Sequence, residues 1–182
     1  MVIRASKPAF SIREKLKSLD YSHLPYERIN PGGLVQVVRG WTQTVDISTA
    51  ADTFRDTGLE ATIYPKFENS KILIMINQSI GALPPAGASI WIDIRLQRTI
   101  DGTTSTMFAN TANNTIHVYS TAYTLPSDVN YGEHSFTEID EPNTLNAVTY
   151  KTQHTISSTS GGSSRAQPDA SSSTIILMEI KQ

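Results

Sequence analysis

Cysteine is absent from this 182-residue sequence, so neither a disulfide nor a thiolate-held metal can stabilise its fold. Charged residues make up only 18% of the chain, and they nearly cancel to a formal net charge of −2. That balance excludes the strongly basic footprint of a duplex-binding domain, and no nucleic-acid partner is expected. No run approaches the ~18 apolar residues of a membrane span, and the first ten residues lack the apolar centre of a signal peptide. The expectation is a protein made and folded in a cytoplasm, with no membrane insertion. Histidine is scarce as well. His23, His117, His134 and His154 show neither helical i, i+4 spacing nor a close pair, so no metal site is expected. Gly32-Gly33 and Gly161-Gly162 lack the following helix and lysine of a phosphate loop, and no G-x-S-x-G elbow occurs. No cofactor is expected.

What is present is a period of two. Nine segments alternate in the manner of strands: 34–41, 43–48, 59–64, 71–80, 89–100, 116–121, 134–140, 145–157 and 174–181. The clearest is "SIWIDIRLQRTI", which sets Ile90, Ile92, Ile94 and Leu96 on one face and Trp91, Asp93, Arg95 and Gln97 on the other. "ILIMI" at 72–76 is apolar on both faces, as expected of a strand central to a sheet, with the 89–100 strand as its expected neighbour. Turn signals stand at "DTGL" (56–59), "ENSK" (68–71), "IDGTT" (100–104) and "DEPN" (140–143). Short strands with frequent turns predict an all-β protein, an antiparallel jelly-roll-like sandwich over residues 34–182. The Ser/Gly-rich stretch at 157–174 is expected to be a flexible loop.

Residues 1–33 differ from all this. Ser11 and Glu14 form a capping box, and Ile12, Leu16 and Leu19 fall at i, i+4, i+7, which predicts a short N-terminal helix with one apolar stripe. Ten residues are too few for a helix to persist alone, so this one needs a surface. Pro25 and Pro31 then favour an extended arm, and Gly32-Gly33 a hinge. Residues 1–30 carry six basic and three acidic side chains, whereas the rest carries nine basic and fourteen acidic. A cationic segment on an acidic body suits docking onto an acidic surface. Ile12, Arg13, Lys15, Leu16, Lys17 and Leu19 are the candidate docking residues.

Two clusters merit a functional reading. Glu133, Glu138, Asp140 and Glu141 lie in and around one predicted strand. Acid/base catalysis on a glycoside needs two carboxylates facing across a cleft at roughly 5–9.5 Å, so an acidic edge or turn is the favoured reading. Tyr119, Tyr123 and Tyr131 fall in one loop-rich region and are candidate ligand contacts, for a glycan or a protein, set against a role in packing loops onto the sandwich.

The runs "GGLVQVVRGWTQT", "DTGLEATIYPKFENSKILIMI" and "STIILMEI" together resemble a β-sandwich module of virion structural and tail-fibre-associated proteins of tailed bacteriophages, marine and cyanobacterial ones in particular. The resemblance spans about residues 32–181. It implies a non-enzymatic protein of the virion, a homo-oligomer expected to be a trimer, contacting other virion proteins of capsid or tail. The chain lacks the long repetitive shaft of a fibre, which shifts the expectation toward a capsid decoration or cement protein or a short appendage. A receptor- or glycan-binding head of a tail fibre, contacting a host surface glycan, is the alternative.

Overall fold

Alternating side chains from Leu34 onward form eleven strands in the computed structural model, which describes residues 29–50, 53–85, 89–108, 117–122, 130–156 and 161–182. They are β1 (Leu34–Thr42), β2 (Asp46–Ser48), β3 (Arg55–Ile63), β4 (Lys71–Leu83), β5 (Ser89–Ile100), β6 (Thr103–Met107), β7 (His117–Ala122), β8 (Asn130–Asp140), β9 (Val148–Ile156), β10 (Ser163–Ala166) and β11 (Ser173–Ile180). A 3-10 turn, Pro168–Ala170, separates β10 from β11. The expected N-terminal helix and most of its arm lie outside the described residues. Gly32 and Gly33 are tied to Lys181 by backbone hydrogen bonds of 2.6 and 3.0 Å, which extend the β1–β11 ladder.

The strand order decides the architecture. β1 and β2 pair in succession with β11 and β10, and both of these pair with the same side of β4, whose other side takes β8. In the second sheet β3 pairs β9, β9 pairs β5, and β6 and β7 share the far side of β5. Counting each interrupted strand once gives eight strands in the orders 1-8-3-6 and 2-7-4-5. This double Greek key is a jelly roll.

The core follows the predicted faces. Ile90, Ile92, Ile94 and Leu96 are fully buried, as are Ile72 and Ile74 on β4, which is central between β11 and β8. β5 is not the neighbour of β4, however; it lies in the opposite sheet, because consecutive long strands of a jelly roll cross between sheets. The Asp93/Arg95 face is engaged within the fold as well. Asp93 is buried, and Arg95 stacks on the Phe54 ring at 3.9 Å and donates to Gln153 at 2.7 Å. The two sheets close against each other where β1 meets β3. There Gly40 is required, since a methyl group would overlap the Glu60 carbonyl oxygen.

Two expectations need correction. "DTGL" is not a turn between strands but a bulge inside β3, with Gly58 at φ +78° and the Thr57 hydroxyl accepting from the Leu59 amide at 3.1 Å. The described part of the Ser/Gly stretch is not a loop but β10 and the turn after it. Ser163, Ser164 and Ala166 are buried there, their small size fitting a strand between β4 and β2.

Candidate functional site

The interior holds polar chemistry as well as apolar packing. The apolar core is divided into two clusters. On β4 Gln78 stands between Ile76 of one and Ile80 of the other; on β9 Thr152 and His154 stand between Tyr150 and Ile156. Thr152 donates to Gln78 at 2.8 Å, and Gln78 donates to Ser173 at 3.0 Å. Gln167, also fully buried, completes the layer with its amide nitrogen on the carbonyls of Thr57 and Thr44 at 2.9 and 2.8 Å.

At one end of this layer Ser164, His154 and Asp46 form a hydrogen-bonded chain, with 2.9 Å on each side of the imidazole. Their types and distances are those of a nucleophilic triad. Ser164 and His154 are completely buried, so the hydroxyl cannot meet a substrate. The chain is instead a brace between sheets. Asp46 in β2 also takes two bonds from Arg55 of β3, at 2.9 and 2.7 Å. Chiefly through Arg55, its carboxyl is held down at about 2, while burial lowers the pKa of His154. A neutral imidazole then donates from Nε2 to Asp46 and accepts at Nδ1 from Ser164.

Away from this layer, at the far end of β11 from Ser173, the buried Glu179 accepts from the Lys66 and Phe67 amides at 2.7 and 3.1 Å, from Ser70 at 2.7 Å and from Gln36 at 2.6 Å. Oε1 accepts three of these bonds and Oε2 the fourth, so this carboxylate pins the β3–β4 connection to the sheet. It is the glutamate of the "LMEI" run.

The surface carries the stronger signal. On the outer face of the β1–β11–β4–β8 sheet, the register sets side chains in rows: Leu34, Ile180 and Lys71; then Val37, Met178, Leu73 and Ile139; then Arg39, Ile176, Met75 and Thr137; then Trp41, Thr174, Asn77 and Ser135. Val37 and Ile139 are each 52% exposed and Trp41 59%. A shallow hollow of about 190 Å³ opens among Met75, Asn77, Ser135, Thr137, Thr174 and Ile176. Exposed apolar side chains are thus grouped on this face rather than scattered singly.

Further along the same face, β11 gives way to the turn. Gln167, Asp169 and Ala170 all adopt left-handed φ, at 49°, 54° and 56°, a conformation that costs non-glycine residues of order 1–3 kcal/mol each. The bonds of buried Gln167 hold the turn in place from beneath. Beside it lies a concavity of about 440 Å³ lined by Ser79, Tyr131, Glu133, Pro168, Asp169 and Ser171. The Tyr131 hydroxyl donates to Asp169 at 2.7 Å, and that bond raises its pKa.

Of the residues singled out in the sequence, Tyr131 lies in this concavity. The backbone of Tyr119 belongs to β7 in the other sheet, and Tyr123 lies outside the described residues. Ile12, Arg13, Lys15, Leu16, Lys17 and Leu19 lie outside them too. In the acidic cluster Asp140 is buried and bonded to Arg98 at 2.9 Å and Tyr150 at 2.7 Å. Glu133 and Glu138 sit on β8, an edge strand, as an acidic edge should. The turn at 167–170 and the brace around His154 were missed. Only "QPD" hinted at the turn, and nothing in sequence spacing joins Asp46, His154 and Ser164.

No protein-family model and no curated protein matches the chain. Among solved structures it is similar to that of the Gx strain of infectious bursal disease virus (8% identity, TM-score 0.41, 82% of this chain, 33% of the other). It is similar also to the Gt-strain structure (10%, 0.40, 81% and 38%) and to the VP2 subviral particle of the same virus (8%, 0.33, 82% and 38%). The chain thus spans about a third of the length of the chains it matches. No tailed-phage protein is among these three. Such similarities are loose, and the jelly roll rests on the strand order described above.

Proposed function

We propose that this is a non-enzymatic structural protein of a virus particle, in which copies of the sandwich associate, as a trimer, through the apolar outer face of the β1–β11–β4–β8 sheet. The observation that carries the reading is that face. Leu34, Val37, Trp41, Met75 and Ile139 are exposed on a single sheet, and since each is already about half covered, closing over the rest contributes on the order of 1 kcal/mol apiece. The jelly roll agrees with it, being a recurrent architecture of viral capsid and lectin domains. The "GGLVQVVRGWTQT" and "STIILMEI" runs, which resemble tailed-phage virion modules, form β1 and β11, the two strands that contribute most of the apolar rows.

In this reading residues 1–30 dock the assembly on the capsid or tail, as a decoration or cement protein or a short appendage. Ile12, Leu16 and Leu19 supply the apolar anchor, and Arg13, Lys15 and Lys17 steer it to an acidic surface. Adding purified protein to particles that lack it provides the test. Deleting residues 1–30 should leave a folded oligomer that no longer adds to particles; normal addition by the truncated protein overturns the docking role.

A further inference from the structure

We propose that the concavity between β8 and the Pro168–Ala170 turn is a binding site for a neutral hexose unit of a glycan, with Tyr131 as its stacking platform and Asp169 and Glu133 as acceptors for sugar hydroxyls. This goes beyond a structural role in the particle and does not depend on it. The concavity of about 440 Å³ is within the range of small-ligand sites. Tyr131 is 56% exposed, yet its hydroxyl is fixed by Asp169, so the ring stands pre-positioned rather than free to rotate. An aromatic face paired with acceptors suits a sugar, whose C–H face is apolar and whose hydroxyls are donors.

The polar inventory fits the same ligand. Asp169 bonds Tyr131 through one oxygen, and Glu133 lies on the same rim. Ser79 and Ser171 join through their hydroxyls at 2.7 Å and add a paired donor and acceptor. Two carboxylates disfavour an acidic sugar, which makes a neutral hexose the match. The left-handed turn that presents Asp169 is anchored by the buried Gln167, so the site is rigid from below. Met75 lies four residues from Ser79 along β4, roughly 13 Å, while the Asn77 and Ser135 row of the same face comes within two residues, roughly 7 Å.

The full chain should be screened against an array of neutral oligosaccharides containing glucose, galactose, mannose and N-acetylglucosamine, and the best binder then titrated by calorimetry. Tyr131→Ala should weaken that binding at least tenfold and Glu133→Gln severalfold, both with unchanged unfolding midpoints. Trp91→Ala, on the opposite sheet, should leave it intact, and chelators should have no effect. The proposal is overturned if no neutral sugar binds at millimolar concentration, or if folded Tyr131→Ala and Glu133→Gln proteins bind as the parent does. Light scattering on the same samples reports the oligomer separately, so loss of sugar binding without dissociation leaves the structural reading untouched.

Discussion

The two sheets of this jelly roll both bury an apolar inner face but differ on the outside. Outside the β1–β11–β4–β8 sheet stand Val37, Met178, Leu73 and Ile139 in one row and Ile176 and Met75 in the next. Outside the other sheet the rows are Thr62, Thr149, Thr99 and Thr104, then Glu60, Lys151, Gln97 and Thr106. Threonine favours a strand as valine does but leaves a hydroxyl for solvent or its neighbour. These rows of the second face are thus suited to water, although Trp91 stands half-exposed further along it, whereas the first face presents apolar side chains in adjacent rows.

The sharpest way to break that contrast is a charge on each face. Met75→Glu should weaken self-association about a hundredfold or more, roughly 2.7 kcal/mol, as read by light scattering or sedimentation across a dilution series. Thr149→Glu should leave association unchanged. Equal effects would mean that the two faces do not differ in function.

Much of this contrast could be read from residues alone. Ile90, Ile92, Ile94 and Leu96 announce a buried face by strict alternation, and the two-sided "ILIMI" marks β4 as central. The turn at Asp101-Gly102 was legible because adjacent left-handed residues favour Asp-Gly. Other features were not legible. Alternation says which face is buried but not which sheet a strand joins, so the pattern of β5 cannot tell a neighbour of β4 from a strand of the opposite sheet. β10 was hidden because Ser163 and Ser164 share their composition with loops; it is the pairing with β2 and β4 that makes them strand. Asp46 and His154 are 108 residues apart and meet only because the sheets close.

The two sheets are tied together by a buried polar brace. Asp46, in the apolar-faced sheet, bonds Arg55 and His154 of the polar-faced one. Burial lowers the folded-state pKa of His154, so below the ordinary value of 6.5 the unfolded chain binds more protons. Stability should be fully present above pH 6.5 and fall as the pH drops below it. Asp46, held at about 2 against an ordinary 3.8, adds a second loss as the pH falls through that interval. His154→Gln should cost about 1–3 kcal/mol at neutral pH and remove the upper leg, keeping the lower, in thermal unfolding followed from pH 8 to pH 2. An upper leg that survives the substitution would assign it to another group.

The smallest expected effect sharpens the account of the polar face. Thr62 and Thr149 share a hydroxyl–hydroxyl bond of 2.7 Å across β3 and β9, and Thr99 and Thr104 share one of 2.8 Å across β5 and β6. Replacing Thr62 alone by valine should cost about 0.5–1 kcal/mol, because one hydroxyl loses its partner. Replacing both Thr62 and Thr149 should be nearly neutral, since valine keeps the shape and no polar group is left wanting. If these hydroxyls serve solubility rather than stability, extending the change to Thr99 and Thr104 should leave the unfolding midpoint within a few degrees while self-association rises. A large loss of stability in the double variant, without new association, would instead make the threonine row a structural ladder, and the polarity of this face incidental to it.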